Sequence, residues 1–103
     1  MLKNTQKQVD DCMKKSSYSY WEPLAQFTRL TEEVGELARE INHRYGPKTK
    51  KSTEETKELE DEIGDIIFTL ACLANSMGVD MEKGFQGAIE KAYGRDKDRF
   101  KKG

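Results

Sequence analysis

The chain reads Leu30-Thr-Glu-Glu-Val-Gly-Glu-Leu-Ala-Arg-Glu-Ile41 in one stretch and Leu59-Glu-Asp-Glu-Ile-Gly-Asp-Ile-Ile-Phe-Thr-Leu70 in another. On an α-helix each residue lies about 100° further round the axis, so the apolar residues of each stretch form one narrow stripe. The stripes consist of Leu30, Val34, Leu37 and Ile41 in the first stretch and of Leu59, Ile63, Ile66 and Leu70 in the second. Both stretches therefore predict amphipathic helices whose stripes face a core.

Each stripe is flanked by two carboxylates three residues apart, Glu33 with Glu36 and Glu62 with Asp65. The first member of each pair lies at about −60° from the start of its stripe and the second at about −120°. If the two helices pack antiparallel with their stripes facing, equal offsets fall on the same side and all four carboxylates converge. Residues 45–54 are enough for such a hairpin. Converging carboxylates repel one another unless a cation is present, so the pattern predicts a metal site.

A solvated acidic face is the alternative interpretation, because acids are frequent in this chain and the spacing alone arises easily by chance. The matching glycines inside the two pairs, Gly35 and Gly64, favour ligation. A glycine inside a helix costs about 1 kcal/mol relative to alanine. Two of them between paired acids indicate that something approaches the helix backbone closely.

Length and composition predict one small domain, residues 1–103. Apolar residues make up 35% of the chain and charged residues 36%, so helices with thin stripes have to complete their core by self-association. The net charge of −1 gives no reason to expect a membrane or nucleic-acid partner, and the basic segment 95–102 contains acids typical of a solvated helix end. Cys12 and Cys72 suggest no disulfide framework, and no apolar run is long enough to span a bilayer. We therefore expect a cytoplasmic protein.

Turn signals predict four helices and no strands. The first runs from about Leu2 to Lys15, and the second from Pro23 to Tyr45 before a Gly-Pro stop. The third is capped by Ser52 or Thr53 and ends near Gly78, and the fourth follows an Asp80 cap. The expected fold is all-α, an antiparallel helical bundle completed by oligomerisation.

The choice of metal follows from the donor atoms. His43 is the single histidine of the chain and lies in the last turn of the second helix, so a ferritin-like di-iron site with two Glu-x-x-His pairs is excluded. An all-oxygen ligand set favours a hard cation, Mg²⁺ or alternatively Mn²⁺. Because Mg²⁺ usually completes its shell with substrate phosphate, the pattern indicates chemistry on a phosphate compound.

The same residues also resemble a known family. The segment from Leu30 to Glu40, together with Glu60-Asp-Glu-Ile-Gly-Asp-Ile-Ile-Phe68, strongly resembles the MazG nucleotide pyrophosphohydrolases, and the resemblance extends over about residues 20–100. It implies an all-α hydrolase, dimeric or tetrameric around a four-helix core. It also implies that the protein converts nucleoside triphosphates to monophosphate and pyrophosphate with magnesium, and so removes unwanted nucleotides.

By this resemblance, Glu33, Glu36, Glu62 and Asp65 would hold the metal ion and catalyse the reaction, and one carboxylate or the ion itself would orient the attacking water. Family positions near the triphosphate correspond to Lys91 and Arg95, for which a solvated surface charge is the alternative. The family's additional acid corresponds to Glu32, which points away from the others at about 200°. Trp21 is expected to stack on a nucleobase or else to cap the edge of the bundle.

Two other interpretations remain open from the sequence. A helical module that binds a nucleotide or a partner without turnover would present the same stripes. An acidic structural bundle without metal would be stabilised when its acids are neutralised. The preferred base and sugar, and the choice between dimer and tetramer, are not determined by the sequence.

Overall fold

Four helices make up the structure, a computed structural model that describes residues 1–47 and 55–94. Their bounds are α1 (Leu2–Lys15), α2 (Pro23–Tyr45), α3 (Glu55–Met77) and α4 (Met81–Tyr93). The described residues contain no strand, so the all-α prediction is confirmed. The predicted caps of the third helix at Ser52 or Thr53, and the basic segment 95–102, lie outside the described residues.

Local chemistry explains where the helices end. At the end of α2 the Gly46 amide donates to the Asn42 carbonyl at 2.8 Å, and a Cβ at position 46 would collide with that same oxygen. Gly78 ends α3 with φ +66°, in the left-handed region where residues with a Cβ are strained. Asp80 caps α4 by accepting a hydrogen bond from the Lys83 amide at 3.1 Å.

The helices α2 and α3 form an antiparallel pair, but their contact is not centred on the apolar stripes. The four stripe residues nearest the acids, at about 0° and −20°, are half-buried, whereas those at about +20° and +40° stay 38–48% exposed. One neighbouring helix therefore covers only half of each predicted stripe, so the single chain alone does not bury the stripes completely. The half-buried residues are Leu30, Leu37, Leu59 and Ile66, and the exposed ones are Val34, Ile41, Ile63 and Leu70.

The expectation of a close approach at Gly35 and Gly64 is wrong within the chain. Within residues 1–47 and 55–94, a Cβ at either position would meet no atom within 4 Å apart from the nearby backbone of its own helix. Both glycines lie at about 140° from the start of their stripes, well away from the acids. The described chain therefore leaves this backbone open.

The helix α1 packs across the C-terminal half of α3, where Val9, Ala71 and Cys72 are buried together. Polar contacts also hold it there. The Tyr20 hydroxyl donates to Asp10 Oδ1 at 2.8 Å and accepts from Asn75 Nδ2 at 2.9 Å. Burial and the Asp10 hydrogen bond raise the pKa of Tyr20 to about 12, so the hydroxyl keeps its proton. The residues around Tyr20 are thereby fixed to α1 and α3.

The helix α4 turns by 111° from α3 and packs against α1. Within the described residues no single helix is long and apolar enough to cross a membrane. The bent pair of α3 and α4 is long and apolar enough only when its two helices are counted together.

Candidate active site

The predicted carboxylates meet along the contact between α2 and α3. One oxygen from each of Glu33, Glu62 and Asp65 lies within 4.8 Å of the other two. Besides burial, Asp65 contributes to the raised pKa of Glu33 and Glu36 to the raised pKa of Glu62, so these carboxyl groups are neighbours across the contact between the helices. These two pairs define the antiparallel register of the helices. The step from Glu33 to Glu36 runs one turn forward along α2, and the step between their partners, from Asp65 to Glu62, runs one turn back along α3. Four acids from two helices thus form one carboxylate cluster.

Burial makes the cluster costly without a cation. The side chain of Glu33 is only 2% exposed, and its Oε2 has no hydrogen-bond partner in the described structure. Glu62 Oε2 is likewise buried and has no hydrogen-bond partner among the described residues. Leaving a buried acceptor unpaired costs about 1–3 kcal/mol, and more when it is charged. Two unpartnered carboxylate oxygens within one oxygen-only donor set fit a hard divalent cation.

The electrostatic surroundings of Glu33 and Glu62 differ in one respect. Burial raises the pKa of Glu33, Arg29 opposes that rise, and Glu36 and Asp65 add to it. For Glu62, burial and then the neighbouring acids all raise the pKa. Arg29 therefore offsets the burial of Glu33 but not that of Glu62. Its Nη2 lies 2.8 Å from Glu33 Oε1.

A cleft of about 450 Å³ opens beside Glu33 and Asp65. The aromatic loop before α2 and part of α1 form one wall, where Trp21 is 58% exposed. The other wall belongs to α2 and α3. Pockets of this size hold small ligands, with apolar walls for a flat group and a few polar groups for orientation. The lining residues are mainly Met13, Tyr18, Trp21, Gln26, Phe68 and Thr69.

Sequence reasoning missed two polar residues of this cleft, Gln26 and Arg29. Gln26 is 6% exposed and lines the cleft. Both lie on the acid side of α2, at about −40° and −100° from the start of its stripe. The helical phase that identified Glu33 and Glu36 would therefore have identified them as well.

The remaining predicted site residues lie away from the cluster or outside the described structure. Glu32 is exposed and lies 3.9 Å from Arg29 Nη1, on the outer side of α2. Lys91 is exposed near the end of α4, which packs on α1, and it does not line the cleft. Arg95 lies outside the described residues. The described residues therefore do not bring Lys91 to the cleft beside the carboxylate cluster.

Known proteins resemble this chain in sequence over most of its length. Residues 22–100 match the family model of the MazG nucleotide pyrophosphohydrolase domain. The uncharacterised protein YpjD of Bacillus subtilis (strain 168) is 50% identical over 99 residues, which cover 96% of this chain and 89% of YpjD. The uncharacterised protein YvdC of the same strain is 32% identical over 96 residues, covering 87% of this chain and 91% of YvdC.

Two solved structures share the fold. The crystal structure of Bacillus subtilis YpjD superposes with a TM-score of 0.77 at 44% identity, covering 92% of this chain and 95% of YpjD. That of the Bacillus-conserved MazG protein, a nucleotide pyrophosphohydrolase, gives 0.76 at 41% identity, covering 95% of both chains. The family model matches most of the chain, and the solved MazG structure shares its fold. The chain therefore belongs to the MazG nucleotide pyrophosphohydrolase domain family.

Proposed function

We propose that the protein is a Mg²⁺-dependent nucleoside triphosphate pyrophosphohydrolase that removes unwanted nucleotides from the pool. The reaction consumes one water and one ribo- or deoxyribonucleoside triphosphate, and it releases the monophosphate and pyrophosphate. The observation that carries the proposal is the pair of buried, unpartnered oxygens of Glu33 and Glu62 inside a cluster that borders a cleft of nucleoside size.

In this proposal the carboxylates bind the metal ion and orient the attacking water. Glu33, Glu62 and Asp65 would hold the ion, and Glu36 would complete the ligand set from the adjoining turn of α2. When bound, Mg²⁺ supplies charge neutralisation for the phosphates. A carboxylate oxygen that is not a ligand orients the attacking water and accepts its proton as the bond between the α- and β-phosphates breaks.

The nucleoside would occupy the cleft. Trp21 offers a flat, half-exposed face for stacking on the base, which is tolerant of base identity because every base has a π-face. Gln26 offers an amide donor and an amide acceptor within reach of the base edge. The triphosphate then extends from the cleft towards the carboxylate cluster.

The proposal includes a homodimer or homotetramer built from a single domain, residues 1–103. Support comes from Val34, Ile41, Ile63 and Leu70, which remain exposed on the stripe side of α2 and α3. A second copy that packs its own helix pair against this face would bury them and complete a four-helix core.

The direct test incubates the purified protein with a panel of nucleoside triphosphates in Mg²⁺ or EDTA and measures monophosphate and pyrophosphate. We expect Mg²⁺-dependent release of both products, abolished by Glu36→Gln and unaffected by Glu60→Gln, an exposed acid of α3. A folded protein that turns over no member of the panel would overturn the proposal and favour a binding module without turnover.

A further inference from the structure

Arg29 occupies the junction between the cleft and the carboxylate cluster. Its Nη2 donates to Glu33 Oε1 at 2.8 Å, while half of its side chain is exposed. Among the residues of 1–47 and 55–94 that line the cleft, it is the one cation. Arg29 therefore lines a space in which the other polar groups are neutral or acidic.

The register of α2 and α3 orders the groups that a ligand would pass. Along α2 the residues Gln26, Arg29, Glu33 and Glu36 follow at intervals of about one turn, roughly 5 Å each. The antiparallel register places Thr69 opposite Arg29, and both line the cleft. A nucleotide with its base near Gln26 and its outer phosphates at the cluster must place its first phosphate beside Arg29.

The chemistry of the side chain suits that phosphate. A guanidinium has five N–H donors in a planar fork, and the Glu33 contact uses one arm of the fork. For the other arm, Nη1, the charged neighbour recorded among the described residues is the distant Glu32 Oε1, at 3.9 Å. Arg29 can therefore keep Glu33 in place and bind a phosphate oxygen at the same time, with no rearrangement of α2.

Resting on the function proposed above, we propose that Arg29 is the substrate-binding cation for the α-phosphate, the phosphate that stays with the nucleoside after cleavage. Arg29 then contributes to binding of the triphosphate and of the monophosphate product, but not of free pyrophosphate. A role confined to neutralising Glu33 would instead affect only the metal ion.

These roles are separated by comparing Arg29→Gln and Arg29→Lys with a matched control, Arg39→Gln, an exposed cation of the same helix that does not line the cleft. Three quantities are measured: KM and kcat for the best triphosphate, inhibition by its monophosphate and by pyrophosphate, and Mn²⁺ affinity by calorimetry without nucleotide. Circular dichroism verifies that each variant is folded.

For Arg29→Gln we expect KM and the monophosphate inhibition constant to rise together by roughly tenfold to a hundredfold, as for loss of a hydrogen bond to a charged group. Pyrophosphate inhibition and Mn²⁺ affinity are expected to stay within about twofold. Arg29→Lys keeps the charge without the fork and should lie between. The control should match the wild type.

Unchanged monophosphate inhibition, or a defect confined to Mn²⁺ affinity, would overturn the assignment of Arg29 while leaving the enzyme proposal intact. Monophosphate binding is also measured directly by calorimetry, so Arg29 is tested even if the wild type turns over no triphosphate. If the wild type turns over no triphosphate, the proposed function fails but the assignment of Arg29 does not. Weaker monophosphate binding in Arg29→Gln, with unchanged binding in Arg39→Gln, would still support the phosphate contact.

Discussion

Replacing Glu62 by glutamine should stabilise the metal-free protein and destabilise the metal-bound one. Burial and three neighbouring acids raise the pKa of Glu62, and its Oε2 has no hydrogen-bond partner in the described structure. Glutamine has the same shape without the charge. In the absence of metal the substitution therefore removes both a desolvation cost and a repulsion.

The size of the effect follows from the geometry of the cluster. Two unit charges 4.8 Å apart, the outer limit for the ligand oxygens, repel by roughly 3.5 kcal/mol at an effective dielectric constant of 20 and by roughly 0.9 kcal/mol in water. Partial protonation of the cluster reduces the repulsion. We expect a gain of about 1 to 2 kcal/mol, which raises Tm by at least about 4 °C in a domain of this size.

Adding metal should reverse this order of stability, so that the wild type becomes more stable than Glu62→Gln. A ligand at one hundred times its Kd stabilises the native state by about 2.7 kcal/mol, and the variant lacks one carboxylate of the site. Thermal unfolding near pH 8 in EDTA and in excess Mg²⁺ measures both effects, with the exposed Glu60→Gln as control. The reasoning is refuted if Glu62→Gln is less stable than the wild type in EDTA, or if Mg²⁺ stabilises both equally.

Four further outcomes are expected. Because the pKa values of Glu33 and Glu62 are raised above the ordinary 4.5, the folded metal-free protein retains protons that the unfolded chain has released, and their contribution to stability is lost as pH rises. Urea denaturation in EDTA should therefore show the stability difference between wild type and Glu62→Gln shrinking as pH falls towards 4.5, and a constant difference would contradict this. Trp21→Ala should raise KM by roughly fivefold to a hundredfold, as for loss of a stacked base, with Trp21→Phe close to the wild type; equal KM values for all three proteins would exclude stacking. Gly35→Ala should add up to about 1 kcal/mol to the free energy of unfolding, since the new Cβ meets no atom of another described element, and a loss in chemical denaturation would place another subunit at this backbone. Tyr20→Phe should reduce the free energy of unfolding by about 1–3 kcal/mol, because it removes two hydrogen bonds and leaves partly buried polar partners; an unchanged midpoint in denaturant would show the network to be dispensable.

The helix bounds were predictable because their signals are local. Gly46 and the Asp80 cap act within one turn of their own helix, and neither depends on the partner helix. The meeting of the carboxylates was predictable for a related reason. Helical phase alone places two pairs of acids at equal offsets, and antiparallel pairing then brings them together.

What the sequence did not determine was how far the helices rotate about their axes. The structure turns α2 and α3 towards their acids, which buries Glu33 and leaves Val34 exposed, the opposite of what polarity alone predicts. The cleft was not predictable from helical phase either, because one of its walls comes from α1 and the loop that precedes α2. The helical phase of Arg29 lies between those of Glu33 and Glu36, but the family resemblance predicts the phosphate-binding cations at Lys91 and Arg95 instead.

The attachment of α1 has a consequence for dynamics. Among its residues only Val9 is buried, while Gln6 donates to Asn75 of α3 and Asp10 accepts from the Tyr20 hydroxyl of the neighbouring loop, which fixes the orientation of α1. Such an interface is specific in geometry but contributes little hydrophobic free energy, so it opens at lower cost than the α2–α3 pair. In hydrogen exchange, the amides of α1 should therefore exchange through a local unfolding step while those around Glu33 remain protected. Because α1 and its loop form one wall of the cleft, that step would open the cleft along its full length without disturbing the carboxylate cluster.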